Sequence, residues 1–334
     1  MTDLTGFDLN ELNSKAMGGS EITRKIIADN LAPELRKEFQ IIYSRVRDIQ
    51  QDKIRILYLH DLPQDPESAR FADPMFVDQF HKFVFSSNWQ YQMYQVYHNL
   101  RYNDSHVVID NPIQIAPTSC FDKPTDKIRL VYTSTPQRGL NLLVPVFKYL
   151  AETHKDIHLD VFSSFKIYGW EERDKEFEPL YQEIREHPQM TYHGFVDNQV
   201  LRDHLNKSHI FAYPCIWLET SCRAMLESMS AGLVCVHPNY GALPETSGGL
   251  NIMYQGSEDP SVHANAFARY LASAINIIRE NSHKNLIHFN KVYVDSRYNP
   301  DRIGKTWEGI LNELLQRYPD ASSRGQVFKI RMGK

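Results

Sequence analysis

The sequence has few cysteines. Cys120, Cys215, Cys222 and Cys235 are the only four in 334 residues, and they form no C-x-x-C pair. No histidine spacing near them reads as a zinc site, and no disulfide framework is indicated. Four such thiols in a chain of this length point to a reducing cytosol. Long apolar runs are also missing, and none approaches the roughly 18–20 residues that span a bilayer. The opening MTDLTGFDLNEL is acidic and lacks an apolar core, unlike a secretory signal or transit peptide. A soluble cytoplasmic protein without membrane insertion is expected. Neither sign of charge dominates: 37 Lys and Arg face 41 Asp and Glu, for a net charge of −4. That excludes a generally basic protein holding nucleic acid or anionic lipid by bulk charge. No repeat of 20–50 residues is visible, and no G-x-G-x-x-G follows a strand pattern, which disfavours a dinucleotide oxidoreductase.

What is present is a globular composition, 42% apolar and 23% charged, in a length that fits two domains of about 150 residues. Residues 1–120 hold 12 bases and 16 acids and so carry the whole deficit, while residues 321–334 hold four bases and no acid. This basic tail reads as a solvated end. Short β-branched and aromatic runs alternate with helical patterns throughout, the mark of βα units and parallel sheets. Strands are predicted at 39–44, 54–60, 82–86 and 105–109, with helices at 21–36 and 89–99 between them. The three-proline stretch 111–125 reads as a linker. After it come strands at 128–133, 158–163, 191–193, 209–213, 233–237 and 251–254, with helices at 140–153, 260–281 and 303–318. Two α/β halves favour a ligand-binding enzyme, since such sheets bind at the C-terminal ends of their strands. The alternative is one irregular α/β domain with a helical tail.

The segment 213–245, YPCIWLETSCRAMLESMSAGLVCVHPNYGALPE, is the most specific. A strand ends at Pro214, Glu219 lies on the loop, and Thr220 or Ser221 is placed to cap a helix over 222–231. Gly232 supplies its left-handed stop. Free amides at 220–223 and the helix dipole form an anion site suited to a diphosphate. Glu227, two turns along from Glu219, is placed to accept hydrogen bonds from a ribose diol. Taken alone, the two glutamates read equally as a capping acid and a solvated acid.

The pattern P-x-x-x-x-E-x-x-x-x-x-x-x-E-x-M-x-x-G followed by G-x-x-P-E (Pro214, Glu219, Glu227, Met229, Gly232, Gly241, Pro244, Glu245) resembles the nucleotide-sugar half of retaining GT-B glycosyltransferases of the family 4 type. Other segments agree in order: Gly18-Gly19-Ser20-Glu21, His60-Asp61, 86–90, 109–113, 132–140 and the glycine loop 191–196 around Gly194. The resemblance spans about residues 17–315. It implies an α/β fold of GT-B architecture, two Rossmann-like domains facing across a cleft with the N-terminal one shortened. The domains would be an acceptor-side domain 1–120 and a nucleotide-sugar domain 121–300. A C-terminal helix 301–318 would pack back on the first domain, and a basic tail 319–334 would follow. It further implies that Glu227 binds the donor ribose and that Glu219 lies beside the hexose. The amides of Thr220 and Ser221 would hold sugar and phosphate, and Gly194 would stand near the base. Arg138 would neutralise the diphosphate, Gly18 and Gly19 would admit it, and His60 would stand at the sugar–acceptor junction. Catalysis would fall to His60, Arg138 and Glu219. The leaving diphosphate would help deprotonate the acceptor without a metal or other cofactor, in keeping with the absence of any D-x-D.

The sequence departs from the pattern in three places. Tyr132 and Thr133 stand where a second basic residue is common, Pro112 follows Asn111 where glycine is usual, and no alternating strand precedes Gly18. The expected reaction is transfer of a hexose or related sugar from a UDP-sugar, with a GDP-sugar second, to a saccharide, small molecule or modified DNA base. The acidic first half argues mildly against a polyanionic acceptor. The alternatives are an epimerase or phosphorylase on the same fold, or a nucleotide-sugar-binding protein without activity.

Overall fold

The computed structural model describes residues 2–10, 18–101 and 103–325. The chain forms two compact units. The first contains Gly18–Pro112 and the chain from Tyr298 onward, and the second contains Ile113–Arg297.

The first unit is built on four parallel strands in sequential order: β1 (Phe39–Tyr43), β2 (Ile54–Leu59), β3 (Lys82–Phe85) and β4 (His106–Val108). Every residue of β1, β2 and β3 is buried, as expected of a parallel sheet covered on both faces. Its helices are α1 (Gly19–Asp29), α2 (Pro33–Arg36), α3 (Pro74–Val77) and α4 (Asn88–His98). The single helix expected over 21–36 is broken. Pro33 pushes Ala32 to an extended ψ of 133° and restarts the chain as α2. An opening strand is reduced to one parallel bridge, Phe7 to Ile41, with Ile41 N–H donating to the Gly6 carbonyl at 2.8 Å. The aromatic stretch after Trp89 is helical, and α4 buries Tyr94 in the core while Tyr97 stays exposed. Tyr102 lies outside the described residues.

The second unit has a six-stranded parallel sheet: β5 (Ile128–Thr133), β6 (Ile157–Phe162), β7 (Met190–Tyr192), β8 (Ile210–Ala212), β9 (Val234–Pro238) and β10 (Ile252–Tyr254). The helices are α5 (Leu140–Ala151), α6 (Glu178–Glu186), α7 (Asn198–Leu205), α8 (Arg223–Ser230), α9 (Leu243–Ser247), α10 (Pro260–Arg279) and α11 (Lys284–Arg297). The strand order β10-β9-β8-β5-β6-β7 means the chain winds outward from β5 in one direction, then returns to β8 and winds the other way. The point between β5 and β8 is therefore a topological switch, where the loops at the carboxyl ends diverge and leave a crevice. The stretch 111–125 is packed rather than free. Ile113 and Cys120 are buried, and Lys123 Nζ donates to the carbonyls of Leu205, Asn206 and Ala231.

The chain then contributes α12 (Pro300–Arg317) and α13 (Ala321–Arg324) to the first unit. Asn299 caps α12 with Pro300 at its first position, the same Asx-Pro device that starts α3 and α10. The inner face of α12 places Ile303, Trp307, Leu311 and Leu314 in one core with Ile27, Ile41 and Tyr58. The tail does not begin as a solvated arm. Arg324 is buried, with Nη1 2.6 Å from Glu38 Oε2 and Nε donating to the Tyr318 carbonyl. Residues 326–334 lie outside the described residues.

Two buried imidazoles make the second unit acid-sensitive. Burial pushes His237 and His209 down to about 4, His209 also being disfavoured as a cation by Lys123 and Arg129. The unfolded chain takes up these protons near pH 6.5, so each contribution is complete above that pH and is lost as pH falls toward 4. Between pH 7 and pH 5 each imidazole is expected to cost about 2 kcal/mol of stability. Denaturant unfolding at the two pH values checks this, and replacing both histidines with Gln should flatten the profile.

Candidate functional site

The switch point in the second unit gathers the most specific residues of the sequence. After β5 the chain makes a short turn, Pro136–Arg138, and then passes through Gly139 with φ of 121°. A Cβ on Gly139 would lie 2.2 Å from the Pro214 carbonyl oxygen, so the Arg138-Gly139 turn presses directly on the loop after β8. Arg138 Nη1 reaches Glu219 Oε1 at 2.7 Å, and the Tyr213 hydroxyl donates to the same oxygen at 2.5 Å. Glu219 is only 5% exposed. Burial by itself would lower the pKa of Arg138, but the Glu219 carboxylate together with Tyr168, Tyr213 and Cys215 outweighs it and holds the guanidinium charged. Burial also raises Tyr213 well above the ordinary phenol range, so it stays a donor. Three buried polar atoms on the β5–α5 loop have no hydrogen-bond partner among the described residues: Thr135 Oγ1, Gln137 Oε1 and Arg138 Nε. A guanidinium with one edge held by a carboxylate and another unpaired can meet an anion.

The second glycine motif supports the same carboxylate. Gly241 has φ of 55°, a Cβ there would lie 2.6 Å from both the N and O of Glu219, and Ala242 N–H donates to the Glu219 carbonyl at 2.8 Å. Gly241→Ala is expected to displace Glu219 and weaken donor binding at least tenfold, an effect on the order of 1.4 kcal/mol. Titration of the variant with a nucleoside diphosphate checks it.

The N-cap position of α8 is Cys222, one residue beyond Ser221, and the Cys222 side chain makes no capping bond. Gly232 follows the helix with φ of 71°, as the left-handed stop requires. Glu227 sits on α8 with Arg223 one turn before it, Nε to Oε1 at 3.0 Å, both side chains largely buried. The i,i+4 spacing of this pair was visible in the sequence. Tyr213 carried no such signal, because its hydroxyl meets Glu219 only through the turn at Pro214. Gly194 follows β7 with φ of 64°, and His193 beside it is fixed by Asp160 at 2.7 Å and by stacking on Phe162. Asp160, His193 and His204 have ligand atoms within 4.8 Å of one another, with Lys127, Arg129 and Lys207 lining the adjoining pocket. A separate cavity of about 700 Å³, lined by Lys123, Ile128, His209 and His283 among others, lies at the amino ends of β5 and β8, away from this site.

In the first unit, Gly18 is the N-cap of α1 with an ordinary extended backbone, and makes no side-chain capping bond. A Cβ on Gly19 would meet nothing within 4 Å among the described residues. His60 follows β2 with its ring stacked on Tyr43 at 5.0 Å and against Tyr58 at 4.3 Å. The His60 backbone N–H donates to Ser44 Oγ at 2.8 Å. Burial and the nearby Arg24 push this imidazole down to about 3, so it is neutral at physiological pH. The structure thus brings Arg138 and Glu219 into contact, places Gly194, Thr220, Ser221 and Glu227 in the same unit, and places Gly18, Gly19 and His60 in the other.

Residues 128–273 match the family model of the glycosyl transferases group 1. The fold is that of the GT-B glycosyltransferases. The chain is similar to a glycosyltransferase from Rickettsia africae, with TM-score 0.65 and 14% identity over 92% of this chain and 83% of that one. It is also similar to the pneumococcal O-GlcNAc transferase GtfA in complex with UDP and GlcNAc, with TM-score 0.64 and 12% identity over 88% and 60%. A third similar structure is Anabaena HepE in complex with UDP, with TM-score 0.61 and 15% identity over 88% and 82%. No curated protein matches by sequence. Among the described residues no helix is long and apolar enough to cross a membrane.

Proposed function

We propose that the protein is a glycosyltransferase that moves a hexose or related sugar from a nucleotide-diphosphate sugar to an acceptor hydroxyl, with retention and without a metal. The observation that carries this reading is the buried Arg138–Glu219–Tyr213 cluster at the switch point of a sheet whose residues match a glycosyltransferase family. Glu227 accepts from the donor ribose, and the backbone at the start of α8 takes sugar and phosphate oxygens. Gly194 lets its loop approach the base. Glu219 stands beside the hexose and, through its ion pair, aims Arg138. The remaining donors of Arg138 meet charge that develops on the leaving diphosphate, the kind of fixed stabilisation that dominates such steps. A diphosphate oxygen takes the acceptor proton as the C–O bond forms on the face the leaving group vacates. His60 belongs to the other unit and is a neutral imidazole at physiological pH. UDP is the preferred nucleotide, supported by the two similar proteins that hold it, with GDP second.

Nucleoside diphosphate release, measured across UDP- and GDP-sugars with sugar, lipid, protein and DNA acceptors in the presence of EDTA, tests the proposal. Acceptor-dependent release from one donor is the expected result. Donor isomerisation without an acceptor would assign an epimerase, and no release in any combination would assign a binding protein.

A further inference from the structure

Strand β6 carries a carboxylate where a covered parallel sheet ordinarily carries an aliphatic side chain. Ile157, Leu159 and Val161 are fully buried on one face of the strand, so His158, Asp160 and Phe162 share the other. Asp160 is buried, and β6 lies between β5 and β7. A carboxylate so enclosed needs a hydrogen-bonded partner or a metal ion. What it meets is imidazole. His193 follows β7 and has Nε2 at 2.7 Å from Asp160 Oδ1. His204 on α7 brings its ring to the same point, with centroid 4.8 Å from that of His193. Among the described residues the His204 ring makes no hydrogen bond. Phe162 holds both rings, stacked on His193 at 4.3 Å and edge-on to His204 at 5.0 Å.

The charged groups around this cluster leave it open to a cation. Arg129 on β5 is engaged by both carboxylate oxygens of Asp126, at 2.7 and 2.9 Å. Lys127 and Lys207 are exposed, where water screens them, and Asp203 on α7 places a second carboxylate near His204. His158 bonds Thr191 Oγ1 through Nε2 and has a buried Nδ1 with no partner among the described residues. It lines the same solvent-connected pocket as Asp160 and His204, which gives an ion a way in. The ligand atoms of Asp160, His193 and His204 lie within 4.8 Å of one another. Ligand atoms on one tetrahedral zinc are about 3.3 Å apart, from bonds of roughly 2.0–2.1 Å. Small side-chain rotations therefore convert the cluster into a coordination shell. Two imidazoles and a carboxylate are a zinc donor set, and three such ligands leave a fourth position for water.

We propose that Asp160, His193 and His204 form a zinc site that ties α7 to the β6–β7 edge of the second unit's sheet. The three ligands come from three successive elements, so the ion closes a staple that packing alone leaves to one hydrogen bond. Holding His193 also holds the start of the loop at Gly194. The ion is structural and takes no part in transfer.

The full chain is dialysed against EDTA, freed of the chelator, and titrated with Zn²⁺ in competition with a chromophoric chelator. Wild type should take up one equivalent at this site and gain Tm on binding. Co²⁺ in place of Zn²⁺ should give visible ligand-field bands. His204→Gln should bind at least tenfold more weakly while keeping the Tm of the metal-free protein, since its ring gives up no hydrogen bond. Asp160→Asn keeps the side-chain shape and should lose the Co²⁺ spectrum. His288→Gln, at an exposed histidine beside the other cavity, should bind as wild type does. No uptake at about 100 μM free zinc, or equal affinity in wild type and His204→Gln, overturns the proposal. So does a loss in His288→Gln as large as that in His204→Gln. Zinc binding is read without donor or acceptor, so its failure is separate from failure of the transferase reading, which is measured in EDTA.

Discussion

Arg138→Ala is expected to lower kcat for nucleoside diphosphate release by about 10²–10³-fold while changing donor affinity much less. The argument rests on where Arg138 spends its donors. One edge is fixed by Glu219 at 2.7 Å and Nε is unpaired, so the guanidinium is held in place before any ligand arrives. Such preorganised charge acts most on what develops during bond breaking. The variant also leaves the Glu219 carboxylate buried without its cation, and losing one partner of a buried pair typically costs about 3–5 kcal/mol. Loss of turnover through unfolding is therefore separated by the double variant Arg138→Met with Glu219→Gln. It removes both charges, should recover most of the stability, and should stay inactive. A double variant that recovers turnover along with stability would remove Arg138 from the mechanism.

Glu227→Ala is expected to raise the donor KM by about 10–100-fold with a smaller change in kcat, since a hydrogen bond to a charged group contributes about 1.5–3 kcal/mol. The geometry that supports this is the position of Glu227 on the second turn of α8, where Arg223 fixes one carboxylate oxygen at 3.0 Å. In the proposed donor site the other oxygen accepts from the ribose diol. Steady-state kinetics with the donor varied at saturating acceptor checks the split. A fall in kcat with KM unchanged would put Glu227 in the chemistry rather than in ribose binding.

Much of this architecture could be read from the sequence, for identifiable reasons. The strands were legible to within one or two residues because each is a short, β-branched or aromatic run, and in β1, β2 and β3 every residue is buried. Helices α6, α7 and α11 were not assigned. In α11 the inner face includes Asn290 and Lys291 beside Ile287 and Val294, which hides the apolar period. Lys291 is inside because its Nζ donates to the carbonyls of Ala116 and Ser230, partners far away in sequence. The break after α1 was marked by Pro33 but masked by the apolar spacing around it. The cap of α8 fell one residue later than the hydroxyl residues suggested. At the candidate site, Arg138, Glu219 and Glu227 could be singled out because glycines and spacing frame them, whereas the contact between Arg138 and Glu219 could not be read. Tyr213 was not singled out, since its hydroxyl meets Glu219 only through the turn after β8.

The most direct measurement is calorimetric titration of UDP and GDP into the full chain and into Glu227→Ala. The account predicts that wild type binds one of the two and that Glu227→Ala binds it at least tenfold more weakly. Equal affinity in the two proteins, or no binding of either nucleotide by wild type, would contradict the donor site in the second unit.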